Sequence, residues 1–319
     1  MSAIGKKLHH FVSRFYLRAW AEREKVYCLQ DGQIQHRNIR NVCAENYFYR
    51  LQELSPEDVE FVREAIINDS PERLKAYHEQ LVRAFTLPYL TKRKLEASGA
   101  ATSEAMTEID RMIIELNENF HTNIEEDFLP YLVAMRSGSL EFLEDPKKAA
   151  GFYKGLAIQY VRTNHIKQAR LVMDPERLKW YLRIANPLAH IVATNVGFSL
   201  YADRERNTLM LLDNATNVPF ITADQPVINI ASGPKDKTPP MKFELYYPLS
   251  PRKAVLLLEP SSEFLPRNSS VSETFVHLYN LRIAAHSYRQ IFSTSPQVLE
   301  SIRDELTAYM SCFPEGHAG

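Results

Sequence analysis

Two adjacent histidines, His9 and His10, are the first residues of the chain whose types suggest chemistry. An imidazole ring titrates near neutral pH, so it can act as a general base or bind a metal ion through a neutral nitrogen. Neighbouring residues on a strand point to opposite faces, so only one ring is expected to reach a given site. The equally open alternative is a histidine that hydrogen-bonds into the core and holds a docked N-terminal segment. Four aromatic residues within positions 9–20 also favour docking.

Asp224 and Asn280 complete the predicted catalytic set. Asp224 lies at the expected end of a strand, where a carboxylate can orient a histidine or bind a divalent ion such as Mg²⁺ or Mn²⁺. The alternative is an Asx-turn or cap in which this carboxylate bonds to the local backbone before Pro226. The residue types leave both interpretations open and do not identify a metal.

A second group of residues is predicted to bind an anionic substrate. It consists of Arg14, Arg18, Arg162, Thr163 and Thr222. A guanidinium group can hold a phosphate or a carboxylate through two parallel hydrogen bonds. The alternatives are a buried ion pair between Arg162 and Asp224, and a solvated face that carries Arg14 and Arg18.

The elements that must position these residues begin with a predicted β-hairpin. Two runs of β-forming residues, 26–30 and 33–39, flank Asp31-Gly32. A two-residue Asp-Gly connection favours a tight hairpin turn. Because an isolated hairpin is only marginally stable in water, we expect it to join the C-terminal strands.

A long helical region follows, and proline after serine or aspartate marks its helix starts. Helices, including one near the C-terminus, are predicted to begin at Ser55-Pro56, Ser70-Pro71, Asp145-Pro146, Asp174-Pro175 and Ser295-Pro296. Residues 94–107 are small and polar and are expected to form a loop. Short β-rich runs at 208–212, 220–222, 227–230, 243–247 and 254–258 are separated by turn residues.

These patterns predict an α+β fold in which the N-terminal hairpin joins a C-terminal, mostly antiparallel sheet, with a large helical middle segment. The strands do not alternate with helices, so a doubly wound sheet is not expected. We interpret residues 1–319 as a single intertwined domain with a helical subdomain over 55–195.

Composition limits the possible classes of function. The chain has 319 residues and a net charge of −1, so no overall field draws it to nucleic acid or to a membrane surface. Three cysteines without a Cys-x-x-Cys spacing favour a reducing, cytoplasmic location over a disulfide framework. No apolar run approaches the length of about 18 residues that a membrane span needs, so no membrane association is expected. The sequence does not indicate an oligomeric state.

The run at residues 9–18, His-His-Phe-Val-Ser-Arg-Phe-Tyr-Leu-Arg, resembles the opening motif of the uncharacterised DUF4238 family. Later family motifs are resembled, in the expected order, by 159–163 (Gln-Tyr-Val-Arg-Thr), 220–226 (Phe-Ile-Thr-Ala-Asp-Gln-Pro), 247–251 (Tyr-Pro-Leu-Ser-Pro) and Asn280. The chain departs from the family pattern at Ser13, Ala223 and Gln225, where the family has proline, serine and asparagine. The resemblance brings no established activity, but it favours a site role for one of the two histidines.

The leading hypothesis is a hydrolase that acts on phosphodiester bonds, such as a nuclease or a toxin-like effector in bacterial defence. One of the two histidines would be the general base or a metal ligand, Asp224 would orient it, and Arg162 would stabilise the phosphate. The partner would be nucleic acid or a nucleotide. The alternative is a non-enzymatic binding or sensor module in which the same residues form a structural network. A cleft reached by both His9 and Asp224 would favour the enzyme, and full burial of both would favour the network.

Overall fold

A computed structural model describes residues 8–236, 240–266 and 268–313, apart from the side chains of 164–172. The helices in these residues are α1 (Arg14–Leu17), α2 (Pro56–Val62), α3 (Glu72–Ser98), α4 (Ser103–Arg136), α5 (Pro146–Val172), α6 (Pro175–Ala202), α7 (Glu273–His286) and α8 (Pro296–Ser311). The strands are β1 (Leu8–His10), β2 (Lys25–Gln30), β3 (Gln33–Asn38), β4 (Ala44–Asn46), β5 (Thr208–Asp213), β6 (Thr222–Ala223), β7 (Ile228–Asn229), β8 (Leu245–Ser250), β9 (Lys253–Leu258) and β10 (Ile291–Ser293). Helices therefore fill the middle of the chain and strands lie on both sides of it, which confirms the α+β class.

The predicted hairpin is present and joins strands from the C-terminal part. Asp31 and Gly32 have φ angles of 51° and 75°, and a type I′ turn needs positive φ at both positions. In one four-stranded sheet the order is β3-β2-β10-β6, and each neighbouring pair is antiparallel. This pairing confirms that the hairpin joins strands from the C-terminal part of the chain, since Ile291 of β10 lies opposite Leu29 of β2 on one side and Ala223 of β6 on the other.

A second four-stranded sheet has the order β5-β9-β8-β7 and is also antiparallel. Side chains from its strands and from the first sheet share one hydrophobic core with α7 and α8, which includes Tyr246, Leu256, Ile283, Ile291 and Ile302. Strands β1 and β4 form a separate two-stranded sheet.

The chain divides into two compact units. Unit 1 comprises Met1–His9, Glu45–Asp127 and Tyr153–Ser199, and unit 2 comprises His10–Ala44, Phe128–Phe152 and Leu200–Gly319. The core of unit 1 lies between α3, α4 and α6, and it includes Leu81, Phe85, Ile113, Ile184 and Ile191. The single intertwined domain remains a prediction, and so does the helical subdomain over 55–195.

The proline-marked helix starts are confirmed within one residue or two, and Ser55 shows why they work. Its hydroxyl accepts from the backbone N–H of Asp58 while the Asp58 carboxylate accepts from the backbone N–H of Ser55. The loop expected at 94–107 is wrong for most of its length, because α3 continues to Ser98 and α4 begins at Ser103. Residues with a high helix propensity, chiefly alanine and glutamate with single lysine, leucine and methionine residues, make up most of this stretch and favour a solvent-exposed helix. Gly99 ends α3 in the left-handed conformation, with φ at 68°.

Candidate functional site

Asp224 holds two parts of unit 2 together through its buried carboxylate. Oδ1 accepts from the backbone N–H of Tyr288 at 2.8 Å. Oδ2 accepts from those of Arg289 at 2.7 Å and Gln290 at 2.9 Å. The Asp224 backbone N–H in turn donates to the Gln290 carbonyl. The donors lie 64 to 66 positions later in the chain, so this is a long-range link rather than a local turn or cap, and it joins the end of β6 to the residues that enter β10.

Asn280 and Thr222 also bond within the body of unit 2. On α7, the Asn280 side chain accepts from the backbone N–H of Ile221 and donates to the Pro219 carbonyl, each at 2.9 Å. The Tyr16 hydroxyl donates to the Pro248 carbonyl at 2.7 Å, so the Thr222 hydroxyl donates to the Tyr16 oxygen at 2.7 Å. Each predicted polar side chain thus ties separate segments to one another.

The opening segment of the chain is docked in unit 2, as its aromatic content led us to expect. Tyr16, Leu17 and Trp20 are buried. The Trp20 indole donates to the Phe220 carbonyl at 2.7 Å. Nε2 of His10 donates to the Arg40 carbonyl at 3.1 Å, which fixes the position of that ring.

Arg14 and Arg18 share one acidic partner, Glu24, at 3.5 and 2.8 Å. The side-chain hydrogen bond from Arg18 is the main reason that the pKa of Glu24 lies below its usual value. All three side chains are a third exposed or more, so this is a solvated ion-pair group rather than a pair of free cations.

A different set of polar side chains gathers inside unit 1. We call it the inner cluster, and it consists of His9, Tyr49, Asn117, His121, Arg162 and His190, all buried. Nδ1 of His9 accepts from the backbone N–H of Tyr49 at 2.9 Å. In the neutral ring the proton must then sit on Nε2. His9 can therefore take up another proton only by giving up this hydrogen bond.

Aromatic contacts connect the histidines of the inner cluster. The rings of Tyr49 and His121 lie 4.2 Å apart between centroids, and those of His121 and His190 lie 4.7 Å apart. Nε2 of His190 donates to Oδ1 of Asn117 at 2.8 Å. The three histidines therefore belong to one continuous series of ring contacts that runs from His9 through Tyr49 and His121 to His190, since Tyr49 also stacks on His9 at 5.9 Å.

Arg162 of α5 supplies the positive charge of the inner cluster. Its Nη1 donates to Oε1 of Glu125 at 2.5 Å, and its side chain is only 2% exposed whereas that of Glu125 is 25% exposed. Burial acts to lower the pKa of Arg162, but the nearby Tyr49 phenol and the Glu125 and Glu118 carboxylates outweigh it and raise that pKa. Burial raises the pKa of Tyr49 above its usual range. Arg162 therefore stays cationic in an environment with little water.

The remaining substrate-binding candidate, Thr163, follows Arg162 on α5 and is half-buried. The predicted site residues thus fall in both units: His9, Arg162 and Thr163 lie in unit 1, and His10, Arg14, Arg18, Thr222, Asp224 and Asn280 lie in unit 2.

No group of three or more histidine, cysteine or carboxylate residues placed to hold a metal ion occurs among the described residues.

Sequence reasoning did not select Asn117, His121 or Glu125, although a signal was available. These three residues follow a spacing of four along α4, so they share one helix face. The same face carries the buried residues Ile113 and Phe128. A polar set embedded in an apolar helix face indicates a buried cluster, which is what Asn117 and His121 form.

A small cleft opens on unit 1 beside the inner cluster. Its volume is about 160 Å³, and it lies between the segment at residues 45–52 and three residues of α6, Leu182, Ala185 and Asn186. Tyr47 lines this cleft and also meets the His9 ring edge to face, with centroids 6.5 Å apart. Tyr47 therefore connects the cleft to His9.

The fold and these polar groups define an α+β protein with a polar, histidine-rich centre in its helical unit. Residues 8–297 match the family described as a protein of unknown function, DUF4238, and the chain belongs to that family. No curated protein and no solved structure matches the chain. Within the described ranges, no helix has both the length and the apolar character needed to cross a membrane.

Proposed function

We propose that the protein hydrolyses phosphodiester bonds and that the inner cluster of unit 1 is its active site. The observation that carries the proposal is the buried Arg162 close enough to the Tyr49 phenol for the two to influence each other's charge, with the Tyr49 ring also in contact with those of His9 and His121. Buried titratable groups with specific charge partners are concentrated at functional sites. A desolvated guanidinium and neutral imidazoles are the groups that phosphate chemistry uses.

His121 is the proposed general base. The acceptor nitrogen of His9 is already used by the backbone of Tyr49, which makes His9 a poorer proton acceptor and a positioning residue for Tyr49. His121 lies between Tyr49 and His190, on the face of α4 that also carries Glu125. A base in this position would activate a hydroxyl or a water for attack on phosphorus, and Arg162 would stabilise the charge that develops on the phosphate oxygens.

Glu125 is the proposed entry point for the substrate. Its carboxylate is the partly exposed half of the pair with Arg162. A phosphate group offers the guanidinium the same paired acceptor geometry as a carboxylate. A substrate phosphate would therefore replace Glu125 as the partner of Arg162. In this way a buried arginine that is paired with a carboxylate at rest can still bind a phosphate.

The substrate class in this proposal is nucleic acid or a nucleotide. A divalent ion such as Mg²⁺ or Mn²⁺ would be recruited together with the phosphate rather than held by a preformed set of ligands. A cytoplasmic location fits the free thiols of Cys28, Cys43 and Cys312. A nuclease in that compartment would act on the cell's own RNA or on invading nucleic acid, as a toxin-like defence effector does.

The experiment is a cleavage assay on RNA, single-stranded DNA and duplex DNA, with Mg²⁺, with Mn²⁺ and with EDTA. Wild type is compared with His121→Gln and Arg162→Lys, and folding is checked by circular dichroism. His36→Gln is the matched control, because the His36 ring is stacked on Tyr27 in unit 2 and lies outside the proposed site. We expect cleavage that both cluster variants lose and the control keeps.

A second candidate is a non-enzymatic binding or sensor module, and one specific observation favours it. Both His9 and Asp224 are buried, and the Asp224 carboxylate accepts three backbone hydrogen bonds. In that case no form of the protein cleaves any substrate, and the cluster variants lose stability instead of activity. The cleavage assay and the circular dichroism check together distinguish the two candidates.

A further inference from the structure

Unit 2 contains a second polar group, separate from the inner cluster, in which several buried atoms lack hydrogen-bond partners. Among the described residues these atoms are Oε1 of Glu244, the hydroxyl of Tyr246 and Nη1 of Arg282. Glu244 is 3% exposed and Tyr246 is fully buried. Buried polar atoms are nearly always paired with protein, water or a ligand, because leaving them unpaired is energetically unfavourable.

Glu244, Tyr246 and Arg282 lie close together where α7 packs on β8. Glu244 immediately precedes β8 and is two residues from Tyr246, so both side chains point to the same face of the sheet. Tyr279 of α7 packs on that face, with its ring 4.7 Å from the Tyr246 ring. The Arg282 guanidinium, one turn along α7, lies 5.1 Å from the centre of the Tyr279 ring and 4.5 Å from that of Phe264.

The charges of Glu244 and Arg282 both reach the Tyr279 phenol. Burial raises the pKa of Tyr279 to about 12, the Arg282 charge opposes this rise, and the Glu244 charge adds to it. Oε1 of Glu244 and Nη1 of Arg282 each lack a hydrogen-bond partner in the described residues, so these two atoms do not bond to each other although both side chains lie near the same phenol. Arg282, whose charge also acts on the Tyr309 phenol of α8, is partly exposed, and so is Tyr309.

We propose that this group is a binding site for a small zwitterion that carries an ammonium and a carboxylate group, such as a free α-amino acid. Glu244 would accept from the ammonium group, Arg282 would donate to the carboxylate, and the Tyr246 hydroxyl would complete the polar contacts. The aromatic rings of Tyr246 and Tyr279 would form an apolar floor that also favours the ammonium group. This site lies within unit 2 and does not depend on the phosphodiesterase proposal.

The test is isothermal titration calorimetry of the full-length protein with the standard α-amino acids, followed by thermal unfolding of each complex. n-Propylamine and propionate serve as ligands that carry only one of the two charges. We expect at least one amino acid to bind and to raise Tm, and we expect either one-charge ligand to bind at least tenfold more weakly. Comparable binding of n-propylamine would overturn the role of Arg282, comparable binding of propionate would overturn that of Glu244, and either result would overturn the proposal of a zwitterion.

The roles of the individual side chains are tested with the variants Glu244→Gln, Arg282→Gln and Tyr246→Phe. The matched control is Arg303→Gln on α8, because Arg303 is exposed and pairs with its neighbour Asp304. Each of the first two should weaken binding at least tenfold, and the control should bind as wild type does. The wild-type titration decides the proposal even if a variant fails to fold. Absence of binding to wild type at millimolar amino acid would overturn it, and the unpaired atoms would then be satisfied by ordered water only.

Discussion

Arg162 and Glu125 form an ion pair whose two halves differ in exposure: the guanidinium is buried and the carboxylate reaches the surface. A buried arginine that loses its partner is strongly destabilising, so the pair cannot simply open in the resting protein. In the proposed function, an anion from solvent replaces Glu125 at Arg162. The asymmetry in exposure is the observation on which that proposed exchange rests.

The first prediction concerns this exchange. Glu125→Gln removes the resident anion, so inorganic phosphate should bind Arg162 more tightly, by at least threefold, in a calorimetric titration. Glu126→Gln is the control, because Glu126 is the exposed neighbour on the same helix and has no role in the pair. Unchanged or weaker phosphate binding by Glu125→Gln would contradict the exchange.

The second prediction concerns the carboxylate of Asp224. Asp224→Asn places an amide group against three backbone N–H donors, so one or more of them loses its acceptor. Because hydrogen bonds to buried charged groups are among the stronger ones, the free energy of unfolding should fall by about 3 kcal/mol in urea.

The control for Asp224 is Asp213→Asn. Asp213 pairs with Lys253 at the surface and should contribute less than about 1 kcal/mol. If the two variants lose equal stability, the Asp224 carboxylate does not hold β6 to the residues before β10 in the way described.

The third prediction concerns the close contact of two helices within unit 1. A Cβ atom at Gly197 of α6 would lie 2.8 Å from the backbone Cα of Lys154 on α5. Alanine normally stabilises a helix interior relative to glycine by about 1 kcal/mol. At this position the clash with the backbone of α5 should make alanine destabilising instead, and Gly197→Ala should lower the free energy of unfolding by about 1–3 kcal/mol.

Gly151→Ala on α5 is the matched comparison for Gly197→Ala. Its Cβ would meet the hydroxyl oxygen of Tyr131, which is the far end of a side chain that can move. It should therefore be the milder of the two changes in urea unfolding. A stabilised Gly197→Ala protein would show that α5 and α6 are not in backbone contact at this point.

The fourth prediction concerns pH. His78 is buried, and its Nε2 donates to Oδ1 of Asn195 at 2.9 Å. Burial lowers the pKa of His78 below its usual 6.5. The unfolded chain therefore binds the proton more readily, so the stability that His78 contributes is present above pH 6.5 and is lost as the pH falls from that value toward the folded pKa.

Unfolding in urea at about pH 7 and about pH 5 measures this effect in wild type and in His78→Gln. Wild type should lose more stability than the variant over that interval. His36→Gln is the control, because His36 lies on β3, away from His78 and Asn195. This variant should lose as much stability between the two pH values as wild type does. Parallel pH dependence of wild type and His78→Gln would contradict the sign of the shift.

The elements of the fold could be predicted where a local signal determines them. Asp31-Gly32 specifies its turn through two positive φ angles, and Ser55-Pro56 specifies a helix start through a cap. The continuation of α3 through Lys94 could not be recognised from polarity, because an exposed helix and a loop can have the same composition. Long-range pairing was inferred for the hairpin only because two strands alone are not stable.

The candidate site was harder to predict because its members are positioned by packing between helices. Asp224 and Arg162 were selected by residue type, and the structure gives them different partners: backbone amides for Asp224 and Glu125 for Arg162. The spacing of four that His121 shares with Asn117 and Glu125 indicates a polar set on one helix face, but it does not indicate a catalytic role. The proposed role of His121 as a base depends on its contact with Tyr49, which is distant in the sequence but adjacent in the fold.

The cleavage rate of Arg162→Lys relative to wild type tests the central claim most directly. Lysine keeps the positive charge but cannot present two parallel N–H donors to a phosphate. Our account predicts that the folded variant cleaves the preferred nucleic acid at least a hundredfold more slowly than wild type, while His36→Gln cleaves at the wild-type rate. Equal cleavage by wild type and folded Arg162→Lys, or no cleavage by wild type with any substrate and metal, would contradict it.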